Sequence, residues 1–526
     1  MKLASRSSIH STIYFALLIL LVIGIPTSNF LMGMAQTLLA VNWIAEFQWK
    51  EKFNRAKKHP VLWAFLALFF VHVIWSFVSS NWCYALDDLR KKLPLLAIPL
   101  IMLTSSPLSK KKIDTIFIIY IGTLIFVSLY SWINRFINPD VPYRSLFPYI
   151  SHIRLALNAC LSIFILLTFA NRLKNNTMLT QTRRLLYESF CLLLVLWFLG
   201  YLFLLQSYTG FIILFISFSV VGLYQVRNGS KWAKLSIVVG FCLVVASLSS
   251  VVVYYTYQYY NLKEISTKPL ESNTINGNPY MHRNDGFIEY GNYAYNYICL
   301  EELEREWNKL SDMPLDSITP NGYPIEPTLI RYLNSKGLTK DSVGVAELEE
   351  CDVVAIESGK PTIYEASSSI LPQMMYRILF EYENYRVYRN VKDFSMLQRF
   401  EMWKNACQII ADNIIMGVGT GDVNDAIQEN LTKNNSQLKD SNIRTHNQYL
   451  TFLLTFGVVG TFIIVFFFVY AVRKEKLLSS PLIVAFLCIF LVSFISEDTL
   501  ETAAGCLFTT FFFALFVVKK RVDIGH

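Results

Sequence analysis

Along the chain, long apolar runs alternate with short polar connectors, except for roughly 190 predominantly polar residues between 258 and 447. A helix needs ~20 mostly apolar residues to cross a bilayer, because lipid offers the backbone no hydrogen-bond partner. Twelve stretches meet or approach that length, near 11–26, 28–46, 60–79, 92–105, 113–135, 153–171, 186–206, 209–226, 235–257, 448–472, 481–495 and 503–518. The second, fourth and eleventh are the weakest. The fourth and eleventh are short, and only a Gly24-Ile25-Pro26 break divides the second from the first. The pattern predicts an all-α polytopic membrane helix bundle of about twelve transmembrane helices with one large, mostly helical loop domain outside the membrane. The expected division is 1–257 with about nine spans, 258–447 as the loop domain, and 448–526 with about three spans.

Inside the polar segment, an Asn/Gly/Pro-rich loop is expected over 262–288. Helices are expected at Cys299–Leu310, from Thr328 to a C-cap at Gly337, at Glu347–Glu350, and at Leu371–Glu383. A strong helix starts near Ser395 and closes at Asn413 and Gly417. On it Arg399, Trp403, Ala406 and Ile410 follow at four-, three- and four-residue intervals, which puts them on one stripe. The tyrosine-rich run from Tyr254 to Tyr260 marks an interfacial belt where the ninth span leaves the bilayer.

Composition agrees with a membrane class: of 526 residues 53% are apolar and 16% charged, and the mean hydropathy is +0.38. Basic residues cluster on alternate connections, at Lys50–Lys58, Lys110–Lys112, Arg172–Arg184, Arg227–Lys234 and Arg473–Lys476, with Lys519, Lys520 and Arg521 in the tail. By the excess of Lys and Arg on cytoplasmic loops, both termini lie in the cytoplasm and the polar segment lies outside, in a bacterial inner membrane. Arg90, Lys91 and Lys92 are the exception, near an outer interface. Topology thus accounts for the net charge of +8, which argues little for nucleic acid. The nine cysteines form no CxxC pair and no zinc-like spacing. Cys299 and Cys351 share the outer segment, where a disulfide and two free thiols are both open. The Lys2/Arg6 flank resembles a signal peptide, but without a small-x-small cleavage site the first span is read as retained. No repeat relates the two halves, which counts against transporters built from repeats.

Few residues carry chemistry. Arg399 and Trp403 face one way, and two readings stand: a snorkelling arginine beside a packed tryptophan, or a guanidinium aimed at a phosphate. The turn Gly417-Val418-Gly419-Thr420-Gly421-Asp422 has the glycines of an anion cradle but lacks the strand and Gly-Lys-Ser/Thr of a nucleotide loop, so a helix–loop connection stands beside that reading. His446, one of seven histidines, lies between Arg444-Thr445 and Asn447-Gln448 at the outer start of a span, where a neutral imidazole can take a proton from a hydroxyl. Arg154, with Arg144 before it, sits at the mouth of the sixth span; an arginine there is costly unless paired. The outer turn before the eighth span reads Gln206-Ser207-Tyr208-Thr209-Gly210.

The order Arg399-x-x-x-Trp403-x-x-Ala406, Gly417-x-Gly419, His446-Asn447-x-Tyr449-Leu450 and Gly457-x-x-Gly460 resembles the O-antigen ligase and polymerase superfamily. The segment Arg331–Asp341 resembles one bacterial branch of it. The resemblance implies a twelve-helix, metal-independent inverting glycosyltransferase of the GT-C type, without cofactor. Its donor is a glycan on undecaprenyl diphosphate at the periplasmic face, which makes the large loop domain periplasmic. The acceptor is lipid A-core in ligases, a second lipid-linked glycan in polymerases, or a protein hydroxyl in O-oligosaccharyltransferases. It implies that His446 activates the acceptor and that Arg399 binds the donor diphosphate, with Trp403, Asn447, Gly417 and Gly419 in support. Where many members carry a second arginine, this chain has Tyr208, and Arg154 is the expected substitute. Ligation to lipid A-core is the leading expectation. Polymerisation, a lipid-linked-glycan flippase and a non-catalytic assembly scaffold are the alternatives.

Overall fold

The computed structural model describes residues 2–138, 141–174, 177, 180–260, 270–283, 287–367, 369–388, 391–392, 394–441 and 443–524. They form two compact units, Met1–Val238 with Met402–His526, and Val239–Glu401. Residues 402–447, counted with the loop by sequence, therefore pack with the membrane helices.

In chain order the helices of the N-terminal region are α1 (Lys2–Thr27), α2 (Asn29–Ala45), α3 (Trp49–Ala56), α4 (Pro60–Ser76), α5 (Trp82–Thr104), α6 (Lys110–Ile137), α7 (His152–Lys174), α8 (Gln181–Leu204), α9 (Tyr208–Gln225) and α10 (Lys231–Tyr260). Several starts are written locally. The side chains of Ser28, Asn81, Ser109 and Thr180 each accept the amide three residues on, and Pro60 opens α4.

The polar segment contributes a two-stranded antiparallel hairpin, β1 (Ile288–Glu289) and β2 (Asn292–Tyr293), and the helices α11 (Leu300–Leu310), α12 (Ile325–Lys336), α13 (Ser342–Ala346), α14 (Glu350–Glu357), α15 (Ile363–Ala366) and α16 (Ile370–Tyr388). Gly337 ends α12 in the left-handed region at φ +69°, as its position suggests. The helix expected at Glu347–Glu350 is instead the turn between α13 and α14. There Glu349 starts a new helix through a reciprocal cap with Asp352, whose carboxylate accepts the Glu349 amide at 2.9 Å. The loop expected over 262–288 lies partly outside the described residues. Trp307, Leu329 and Leu333 centre one core of this unit, and Tyr259, Tyr290 and Tyr376 another. Cys299 is buried, Cys351 is exposed, and neither is in a disulfide.

The chain then runs through α17 (Ser395–Asp412), α18 (Val423–Lys433), α19 (Gln448–Lys474), α20 (Pro481–Ser493) and α21 (Ala503–Ile524). In the bundle α4 packs on α19, α5 on α21, α9 on α20, and α7 on α8. Phe486 fixes the α20–α21 contact, with ring centroids 5.1 Å from both Phe513 and Phe516.

Each of the twelve apolar stretches falls in a helix. Eight of the described helices are long and apolar enough to cross a membrane, or nine if α2 and α3, bent by 116°, count as one span. The helices α4 and α20 are shorter, and α5 carries charged residues in its first half. The protein is an all-α, multi-pass bundle.

Candidate active site

The turn that precedes α19 is held from three sides. The Trp403 indole Nε1 on α17 donates to the Thr445 carbonyl at 2.8 Å, and the His446 amide donates to Asp498 Oδ2 at 2.9 Å. Asn447 caps α19, its Oδ1 accepting the amides of Tyr449 and Leu450, both at 3.1 Å. These bonds hold His446 at φ +49°, a left-handed conformation that costs a non-glycine residue roughly 1–3 kcal/mol. The half-buried imidazole is thereby placed at the wall of a cavity of about 560 Å³.

Arg154, in the first turn of α7, lines the same cavity, and its guanidinium donates to Thr502 Oγ1. Lys91 and Arg444 join it there with the carboxylates Glu497, Asp498 and Glu501, so three cations, three carboxylates and one imidazole line the cavity. Behind them lies a buried ion network. The Lys92 ammonium is 2.6 Å from Asp88 Oδ1 and 2.8 Å from Glu501 Oε2, while Arg444 Nη1 donates to the Glu501 carbonyl at 2.9 Å. Gln448 locks the same segment, donating to Glu501 Oε1 at 2.9 Å and accepting the Leu500 amide at 2.8 Å. Burial alone would raise the Glu501 carboxyl, but the Lys92 ammonium and then the Arg444 guanidinium outweigh it and hold it well below the usual carboxylate range. Burial, and then the Glu501 charge, push the Asp498 carboxyl up, against hydrogen bonds from Thr451, His446 and Thr445.

The glycine turn is not an anion cradle. The amides from Gly417 to Gly421 are all engaged within the protein: Gly417 to the Asn413 carbonyl, Val418 to Leu454, Gly419 to Thr455, Thr420 to Trp75, and Gly421 to Ser79 Oγ. The glycines serve close packing instead. Gly417 has φ +67°, and a Cβ there would lie 2.5 Å from the Thr455 carbonyl. It meets α19 where Gly457 breaks the helix at φ +60°, ψ −164°, a backbone region open essentially to glycine alone. Asp422 completes the splice by accepting the amides of Ser80 and Asn81.

The structure thus brings His446 and Arg154 to one cavity, with Trp403 and Asn447 bracing the histidine turn. Tyr208 opens α9, half exposed, and is not in the cavity wall; its turn lies beside α7, where Cys160 Sγ contacts the Gly210 carbonyl at 3.5 Å. Arg399 lies half-buried on α17 one turn before Trp403 and belongs to the second unit. Arg444, Lys91, Lys92, Asp498 and Glu501 are the site residues that sequence reasoning passed over. Their signal is charge set against apolar runs at the outer ends of spans, a costly arrangement unless paired.

An imidazole, three cations and three carboxylates thus line one cavity of a multi-pass membrane bundle. A protein-family model described as O-antigen ligase matches residues 362–465, which include Arg399, Trp403, the glycine turn, His446 and Gly457. Over that segment, about a fifth of the chain, the sequence is similar to the O-antigen ligase family, in line with the motif order. That family implies membrane glycosyltransferase-type chemistry on lipid-linked glycans. No curated protein matches the chain.

Proposed function

We propose that the protein is an inverting, metal-independent glycosyltransferase of the GT-C type. It moves a glycan from undecaprenyl diphosphate to an acceptor hydroxyl at the periplasmic face of the inner membrane, with lipid A-core as the acceptor. The observation that carries this reading is the cavity shared by His446 and Arg154. The imidazole takes the proton of the acceptor hydroxyl. The freed oxygen attacks the anomeric carbon from the side opposite the diphosphate, the glycosyl C–O bond breaks, and undecaprenyl diphosphate leaves with the bonding pair. A diphosphate is a good leaving group once its charge is offset; Arg154, Arg444 and Lys91 are the cations of a wall they share with Glu497, Asp498 and Glu501. The family motif assigns Arg399 a role in binding the donor diphosphate. The basic connectors support an outward-facing cavity with both termini in the cytoplasm.

The test is glycan analysis after deletion of the gene. Uncapped lipid A-core with accumulated carrier-linked polymer is the expected result. Lipid A-core capped by a single repeat would assign polymerisation instead. Labelling of Cys351, kept as the sole cysteine, by an impermeant maleimide in spheroplasts checks the orientation independently; labelling only after lysis would reverse it.

A further inference from the structure

A second cavity, of about 870 Å³, lies at the other end of the bundle. Its wall includes Lys474 to Lys476, at and just beyond the end of α19, whereas His446 precedes its start; 27 residues at ~1.5 Å each, broken at Gly457, separate them by at most about 40 Å. The start of α4 and the ends of α5 and α21 complete it. Six cationic side chains line it (Arg55, Lys58, Lys474, Lys476, Lys520 and Arg521) against a single carboxylate, Glu475.

Half of these cations are already engaged. Arg521 pairs with Glu475 at 2.9 Å and donates to the Lys58 carbonyl at 2.6 Å; Lys520 donates to the Lys476 carbonyl at 2.6 Å; Arg55 donates to the Thr104 carbonyl at 2.9 Å. Lys58, Lys474 and Lys476 are exposed, and among the described residues their ammonium groups make no ion pair. His59, 7% exposed, also lines the cavity, with its Nδ1 3.7 Å from Glu475 Oε1. Ser105 and Ser106 also line it, beside an apolar flank of Met102, Leu103, Leu108, Val518 and Val522.

Membrane topology explains why basic residues collect at this end, but not why those from four helix ends converge on one concavity with an apolar flank. We propose that this cavity binds the phosphate headgroup of an anionic membrane lipid. Lys58, Lys474 and Lys476 offset its charge, and the apolar flank accepts the start of its chains. Basic pockets between transmembrane helices suit this chemistry: each lysine near an anionic surface adds about fivefold in affinity, and the apolar flank distinguishes a lipid from a free anion. The inference is independent of the glycosyl-transfer reading.

The test uses the full-length protein in phosphatidylcholine nanodiscs, with phosphatidylglycerol or inorganic phosphate as the added probe. Phosphatidylglycerol is expected to raise the melting temperature and to remain bound in native mass spectrometry, whereas inorganic phosphate does neither. The triple variant Lys58→Gln, Lys474→Gln, Lys476→Gln is expected to bind phosphatidylglycerol at least roughly tenfold more weakly while melting normally in pure phosphatidylcholine. The matching triple Lys→Arg variant keeps binding, which separates lost charge from lost fold. Equal retention of phosphatidylglycerol by the glutamine variant overturns the proposal, and so does a full effect of inorganic phosphate alone.

Discussion

The Asp498 carboxylate accepts the backbone amide of His446 at 2.9 Å, so the candidate base is held through its main chain where it lines the cavity. The same carboxylate accepts the hydroxyls of Thr445 and Thr451, at 3.1 and 2.9 Å. Geometry at residue 446 therefore depends on a residue more than fifty positions away.

Because the turn is held through the backbone, His446→Ala is expected to fold and reach the membrane at wild-type level while losing about 10²–10⁴-fold in transfer rate. Transfer of a labelled carrier-linked glycan by purified protein measures this. Undiminished transfer by the variant would remove His446 from the mechanism.

Asp498→Ala strands three donors at once. It is expected to cost about 1–3 kcal/mol of stability and to slow transfer, with Asp498→Asn milder because its amide oxygen still accepts. Thermal unfolding in detergent beside the transfer assay reads both effects; an alanine variant as active as wild type contradicts the positioning role.

Lys92 is 1% exposed between two carboxylates. Lys92→Met leaves Asp88 and Glu501 facing each other with only Arg444, 3.8 Å from Glu501, as counter-ion, at an expected cost of about 3–5 kcal/mol. Adding Asp88→Asn and Glu501→Gln is expected to recover much of that loss. Melting temperatures of the single and triple variants check the coupling.

Arg154→Ala is expected to abolish transfer. In that background Tyr208→Arg, which restores an arginine at the position where the family resemblance expects one, is expected to bring part of the rate back. If Arg154→Ala alone keeps the wild-type rate, Arg154 is not the substitute.

The loop unit carries its own acid sensitivity. Glu302 is fully buried and accepts Thr274 Oγ1, Asn278 Nδ2 and both the hydroxyl and the amide of Ser342. Burial works to raise its carboxyl, but these donors win and bring it down to about 2 from 4.5. A carboxyl lowered in the folded state gives stability that is complete above about 4.5 and is lost as pH falls toward 2. Hydrogen exchange over α11 is expected to accelerate across that window, and Glu302→Gln to remove the pH dependence there.

The membrane helices were legible because lipid forces a simple rule on the chain, and every apolar stretch falls in a helix. The start of α17 near Ser395, its close at Asn413 and the Gly337 cap were legible for a similar reason, since each depends on neighbours within a turn. The Glu347–Glu350 helix was misjudged because the Glu349–Asp352 cap resets the backbone inside a run of good helix formers. The glycine turn was ambiguous for a different reason. Free amides and amides spliced onto α19 and α4 require the same glycines, and only the partners tell them apart.

By itself the sequence determined an all-helical, multi-pass chain, a polar segment placed between spans, and a histidine and arginine motif order shared with the O-antigen ligase superfamily. These are properties of local hydrophobicity and spacing. Only the tertiary structure decided that Arg154 and His446 share a cavity, that Asp498 and Glu501 hold it, and that Lys92 is buried behind it. Those contacts join α2, α5, α7, α19 and the α20–α21 turn, far apart in the chain, and a buried charge is tolerable only where packing brings its partner within reach.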